Sequence, residues 1–397
     1  MEYAKEYSLA FDTIMPLIKE KHFNEPSLSD KKMIAILYND INEGLIKSYN
    51  NVKIDMFKTV KKDNLIYPSP SNFKSPEIDN IIKKTLISQT SFSCNLLDKK
   101  INVVFSIMKD DLININYLIK SMQLIYSWLY VCSKYSKTNC CKELNINIYF
   151  TSFKKGFPNS NLTTLGPENV NSAYATQCQP ISHIVIFRKE EWFKVFIHEC
   201  GHTFGFEPSE LSEVYLSNAI KKYISIKSCI RISEAYVETW ARIINVFYSA
   251  IMNSSSYADF INILKFTIKI ESLFSIMQAY RVLSFMKMPY YNIIDISKHN
   301  ECKFYKENTN VFAYYVLCAA FMNKPFNFIN WCDNYNSNCL QFDNNNVLVF
   351  EKYIKQCLYD KSYEEFMLKF QNVANRKFGL RFTITELSKD EIIYIVN

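Results

Sequence analysis

The stretch "EEWFKVFIHECGHTFGF" (190–206) constrains the chain more than any other. It sets His198, Glu199 and His202 inside a run that is otherwise apolar and aromatic. Trp192, Phe193, Val195, Phe196, Ile197 and Phe204 mark the segment as buried, and buried ionisable groups are costly unless they are paired or bind a metal. Glu190 and Glu191 suit the first turn of a helix and Gly205 suits its end. On such a helix His198 and His202 lie on one face, one turn apart.

Two imidazoles in that relation reach a single zinc ion at about 2.0–2.1 Å. Glu199, lying between them, is the general base expected to take a proton from water held on the ion, whose pKa zinc lowers towards 7. A catalytic zinc site needs a third protein ligand and leaves a fourth position open. In the longer pattern with a glycine three residues after the second histidine, the ligand stands at position 208. Gly205 fits, but Pro208 has no ligating atom, and only the neighbouring Glu207 stands in reserve. The stronger candidate is "RISEAYVETWARI" (231–243), where Glu234 and Glu238 are four apart on a helix that is apolar around most of its circumference. Glu234 is read as the ligand and Glu238 as the carboxylate that orients a ligand histidine. The reverse assignment is the main competitor. His183, at the start of a strand, and His22 and His299, in polar surroundings, are read as structural or surface residues. A donor for the developing oxyanion is also expected, from among Tyr236, Tyr280, Arg281, Tyr314 and Tyr315.

The chain has 397 residues, enough for a large core and more than one region. It holds 6 glycines, and none forms a phosphate-binding loop. The net charge is +7, but the lysines are scattered, so a nucleic-acid partner is not expected. The twelve cysteines show no CxxC pair, and the N-terminus is polar. Reduced thiols in a cytoplasmic setting are therefore expected. No apolar run approaches the roughly 18–20 residues of a membrane span.

Residues 1–90 read as a helical N-terminal region, with a Pro/Ser/Asn-rich linker at 67–80. Residues 91–208 read as an α/β unit: strands at 100–108, 145–153, 170–176 and 182–188, and a helix at 110–136 with acidic residues at its start. Residues 209–397 read as mainly helical, over 211–223, 229–252, 257–288, 309–322 and 346–375, with a strand or two in the tail. The class is α+β: a twisted mixed sheet carrying the motif helix, then a helical subdomain that supplies the third ligand.

A short strand, "VNSAYAT", then "SHIVIFR", then a helix holding HECGH resembles the core of zincin metallopeptidases. The glutamate on a downstream helix, with an acidic residue four positions on, is similar to their gluzincin branch. Two positions depart from the thermolysin kind: Ser233 stands where Asn precedes the ligand, and Glu238 where Asp follows it. The wider block from 169 to 206, with "ENTNVFAYYVL" (307–317), also resembles uncharacterised zincin-like proteins of large nucleocytoplasmic DNA viruses. The resemblance implies a zinc-dependent peptidase with His198, His202 and Glu234 as ligands, Glu199 as base and Glu238 beside a histidine. A peptide or protein substrate would pair along 170–176. The alternative is a catalytically inactive viral structural or interaction protein that retains the metal.

Overall fold

The computed structural model describes residues 2–22, 28–109, 113–136, 139–160, 162–226, 228–298, 302, 305–373 and 378–387. Helices α1 (Glu2–Ile18) and α2 (Leu28–Asn51) open the chain. The two-residue strand β1 (Lys58–Thr59), helix α3 (Pro76–Thr85) and a long hairpin, β2 (Leu86–Leu96) with β3 (Lys99–Met108), follow. Helix α4 (Ile115–Tyr135) leads to β4 (Glu143–Tyr149), and the short α5 (Pro167–Val170) to β5 (Ala173–Ala175) and β6 (Ile181–Ile186). Then comes α6 (Trp192–Thr203), which carries the histidine pair. Helices α7 (Glu210–Ile220), α8 (Ile232–Met252), α9 (Tyr257–Phe285) and α10 (Tyr290–Ile294) succeed it. A π-helical stretch (Phe312–Leu317) continues into α11 (Cys318–Met322), followed by α12 (Pro325–Tyr335), α13 (Val347–Leu358) and α14 (Lys361–Lys369).

The strands form one mixed sheet in the order β1-β2-β3-β4-β6-β5. β3, β4 and β6 are mutually parallel, while β2 and β5 run antiparallel to their neighbours. Alternation in "ELNINIY" explains the sheet's two faces. Leu144, Ile146 and Ile148 join Val103, Phe105, Ile184 and Ile186 in the main core with α4 and α6. Tyr149, Val185 and Phe187 pack on the other face, where Ile78 and Ile82 of α3 cover them.

Several expectations need correction. The segment 67–80, largely exposed up to residue 75, touches the back of the sheet at a few points. Tyr174 Oη donates to the Ser69 carbonyl at 3.3 Å, and Asn171 Nδ2 donates to Phe73 O at 3.1 Å. Residues 76–80 already belong to α3. The 1–90 region also contributes β1 and the start of β2, where a mostly helical region with a linker was expected. The helix at 110–136 begins at Ile115, with the Asn114 side chain accepting from the Tyr117 amide; Asp110 and Asp111 lie outside the described residues. Helix 346–375 is two helices, broken at Tyr359-Asp360. No strand occurs among the described tail residues, 378–387, and the rest of the tail lies outside them. Cys140 and Cys178 form a disulfide, with Cα atoms 4.8 Å apart, where reduced thiols were expected. It ties the loop before β4 to the loop after β5.

α6 is buried along its whole length, between the sheet and α8. The close approach to α8 depends on Gly201, where an added Cβ would stand 2.8 Å from Val237 Cγ1 and 3.0 Å from Val237 Cβ. Valine on a helix is nearly fixed at χ1, so it has little room to yield. Gly201→Ala is therefore expected to destabilise the fold by about 1–3 kcal/mol, despite alanine's better helix propensity. The double variant Gly201→Ala/Val237→Ala should recover part of that loss in chemical denaturation, and a single variant as stable as the parent would contradict the packing account.

Candidate metal centre

α6 and α8 each present two ionisable side chains one turn apart, and the helices are packed so that these face each other. His198 Nε2 and His202 Nε2 are 3.2 Å apart. Glu234 Oε2 lies 3.3 Å from each of them. Two ligand atoms of a tetrahedral zinc ion, at bonds of about 2.0–2.1 Å, stand about 3.3–3.4 Å apart. The three atoms thus form a triangle of the size of one tetrahedral face.

The outer contacts set the chemistry of that triangle. His202 Nδ1 is 2.7 Å from Glu207 Oε2. His198 Nδ1 is 3.0 Å from Glu238 Oε2, though off its hydrogen-bonding direction. A carboxylate only accepts, so both ring protons belong on Nδ1, and both Nε2 atoms then carry lone pairs. Glu234 Oε2 is buried and has no hydrogen-bond partner. Its other oxygen accepts from Asn310 Nδ2 at 3.1 Å. The three inward-facing atoms, all within 4.8 Å of one another, could hold a metal ion between them. Burial opposes charge on both imidazoles, yet Glu234 and Glu238 raise the pKa of His198, and Glu207 with Glu234 raises that of His202 well above its ordinary value. Burial likewise pushes Glu234 up, but the two imidazoles outweigh it and hold its carboxyl far below the carboxylate range. Two imidazoles and one carboxylate are a donor set of catalytic zinc sites, and the site fits that ion.

The structure separates Glu234 from Glu238. Only Glu234 meets the two Nε2 atoms, and the described His, Cys, Asp and Glu side chains that cluster for a metal are His198, His202 and Glu234. Glu238 lies behind His198, where Lys194 Nζ holds both its oxygens at 2.8–2.9 Å and Arg242 Nε holds one at 2.9 Å. Glu207, the reserve ligand, stands on the outer side of His202. Glu199 faces a cleft of about 20 Å³, room for about one water, which it lines with His198, Ser172, Ala173, Tyr314 and Phe382. Burial raises the Glu199 pKa.

Among the oxyanion candidates only Tyr314 is at the cleft. It sits on the π-helical stretch, its ring centroid is 5.9 Å from that of His198, and burial beside Glu234 raises its pKa. π-Helical turns recur at functional positions. Tyr236, Tyr280 and Tyr315 donate to backbone carbonyls of Leu340, Gln371 and Leu380, and Arg281 donates to Gln278. His183 is an exposed strand residue, His22 is exposed, and His299 lies outside the described residues.

The sequence reading passed over three supporting residues. Lys194 is four positions before His198, a helical spacing that already placed it on the site face. Glu213 of α7 accepts from the amides of Ile232 and Ser233, both at 2.7 Å, and so caps the first turn of α8 in front of Glu234. Asn310 gave no signal. Glu190 and Glu191 precede the first turn of α6 rather than lying in it; Glu191 is the N-cap residue, without a side-chain capping bond. Glu191 has a left-handed backbone (φ 57) and pairs with Lys155 at 2.7 Å in a fully buried contact, while Glu190 accepts from the Lys155 amide.

Comparison with protein-family models, curated proteins and solved structures finds no match to this chain. Among the described residues, no helix is long and apolar enough to cross a membrane.

A ligand that binds only the folded chain stabilises it by about 2.7 kcal/mol at 100 times its Kd. Zinc added to chelator-treated protein is therefore expected to raise the thermal midpoint by several degrees, and Glu234→Gln is expected to lose that response. Identical melting with chelator and with zinc would show that the triangle binds no zinc.

Proposed function

We propose that the protein is a zinc-dependent peptidase of the zincin kind, with His198, His202 and Glu234 as metal ligands. The observation that carries this reading is the 3.2–3.3 Å triangle of lone-pair atoms with Glu199 beside it. Zinc, when bound, supplies Lewis acidity to a substrate carbonyl and to a water molecule.

Residues of the chain supply the rest. Glu199 lines the cleft together with His198, in a space sized for about one water. Burial keeps its carboxyl basic enough to accept a proton from that water and pass it to the leaving amine. Tyr314, which lines the same cleft, is the candidate donor to the developing oxyanion.

β5 offers the peptide a place. It is the edge of the sheet, and its pairing with β6 uses alternate residues: Phe187 N donates to Ser172 O at 2.9 Å and Thr176 N to His183 O at 3.0 Å. Ala173 and Ala175 therefore direct their N–H and C=O groups away from β6, toward the open edge. An extended substrate adding there as a strand would run past His198 and Glu199. This open edge at the cleft also favours the peptidase over an inactive protein that retains its metal. A second consideration is that His198, His202 and Glu234 would hold zinc by three protein ligands only, since Glu207 and Glu238 lie at the outer ring nitrogens.

Glu199→Gln is expected to retain one zinc per chain and to lose peptide hydrolysis by at least a factor of 10². His198→Ala should lose both. Peptide-library turnover and metal content of the purified variants are the measurements. Wild-type turnover by Glu199→Gln would remove the base from the scheme, and a wild-type protein without zinc would remove the scheme itself.

A further inference from the structure

We infer that Glu207 is a positioning residue for the second zinc ligand, and that the turn 203–207 exists to deliver its carboxylate to His202 Nδ1; this rests on the zinc reading above. The sequence spacing suggests a different use. A glycine three residues after the second histidine is where a longer motif turns the chain to bring in a third ligand. Here the same turn brings a carboxylate to the far side of an existing ligand.

The geometry is built for that task. Gly205 has φ +68, a conformation that side chains with a Cβ rarely adopt. It lets the Phe206 amide fold back onto Gly201 O at 2.9 Å, and the Gly205 amide onto His202 O at 3.1 Å. The chain then reverses and Glu207 Oε2 arrives 2.7 Å from His202 Nδ1. Pro208, which has no ligating atom, restricts Glu207 to extended backbone as the residue before a proline. The turn is pinned from outside. Phe342 N donates to Phe206 O at 2.8 Å, Ser209 N to Asn344 Oδ1 at 2.9 Å, and Cys178 N to His202 O at 3.1 Å.

The two histidines are held differently. Glu238 shares its charge among His198, Lys194 and Arg242. Among the described residues no lysine or arginine forms an ion pair with Glu207, so its charge acts on His202 alone. A carboxylate on the outer nitrogen fixes the ring's tautomer and orientation and makes the inner nitrogen a stronger donor, and losing such a partner typically weakens metal binding 10–100-fold. Ser233, which precedes the ligand Glu234, does not fill this position; its hydroxyl is buried and without a hydrogen-bond partner.

The test uses the full chain and two metals. Zinc affinity is measured by competition with a chromophoric chelator. The ligand field is read from the visible absorption of the cobalt-substituted protein. Glu207→Gln keeps the side-chain size and removes the charge, Glu207→Ala removes both, and Glu207→Asp keeps the charge on a shorter stem. Gln and Ala are expected to bind zinc 10–100-fold more weakly and to shift the cobalt bands, with Asp in between. Melting of the metal-free Gln variant should match the metal-free parent. Parental zinc affinity and parental cobalt bands in Glu207→Gln would overturn the assignment while leaving the zinc site standing. A Gln variant whose metal-free form is itself destabilised, with unshifted cobalt bands, would make Glu207 merely structural and overturn it too. A parent that binds neither metal would overturn the zinc reading instead.

Discussion

His198 Nε2, His202 Nε2 and Glu234 Oε2 turn their lone pairs toward one point in a buried pocket, 3.2–3.3 Å from each other. In a medium that screens poorly these groups are strongly coupled: against the effect of burial, Glu234 raises the pKa of both imidazoles, and they lower its own. Much of the surrounding structure is organised to hold the cluster together. Gly201 lets α8 approach α6, Glu213 caps α8 in front of Glu234, and Glu207 and Glu238 occupy the outer ring nitrogens. The triangle is thus the product of two helices, their close approach and the charges packed behind them.

The charges behind the triangle form a buried lattice. Glu238 is balanced by Lys194 and Arg242, and Glu191 by Lys155. The ring of Phe382 lies 3.8 Å from Lys155 Nζ and 4.4 Å from Lys194 Nζ, close enough for cation–π attraction to each. The described C-terminal residues are bound as an extended strap through side chains of several helices: Gln278 to Gly379 O and Arg381 O, Tyr315 to Leu380 O, and Asn245 to Thr385 O. Thr383 N reaches Glu191, and Thr385 reaches Glu271. Breaking one member of such a network leaves an uncompensated buried charge, which is strongly destabilising.

The histidine-pair motif was legible because its information is local: a five-residue pattern, a helical period and a glycine stop. The four-residue spacing of Glu234 and Glu238 was legible for the same reason, but not which of them meets both histidines. That depends on the rotation of α8 against α6, which Gly201 and Val237 set through tertiary contact. The strands β3, β4 and β6 stood out as short runs rich in Ile, Val and Phe, and β5 by alternation. β2 did not, because "LISQTSFSCNL" has polar residues on both faces and follows a segment read as linker. α12 was missed because it opens on Pro325 at its first position and is rich in asparagine. The role of Glu207 was misjudged as a reserve ligand, since spacing locates a side chain near a metal without saying on which side of a histidine it arrives. The Cys140–Cys178 disulfide joins residues 38 apart with no motif to announce it.

The central claim is a single zinc ion held by two imidazole nitrogens and one carboxylate oxygen. X-ray absorption at the zinc edge of the purified protein tests it directly. The account predicts a first shell of nitrogen and oxygen at about 2.0–2.1 Å, with scattering from two imidazole rings, both lost in His198→Ala/His202→Ala. A sulfur shell at about 2.3 Å, drawn from the buried thiols around α6, or the absence of zinc altogether, would contradict it.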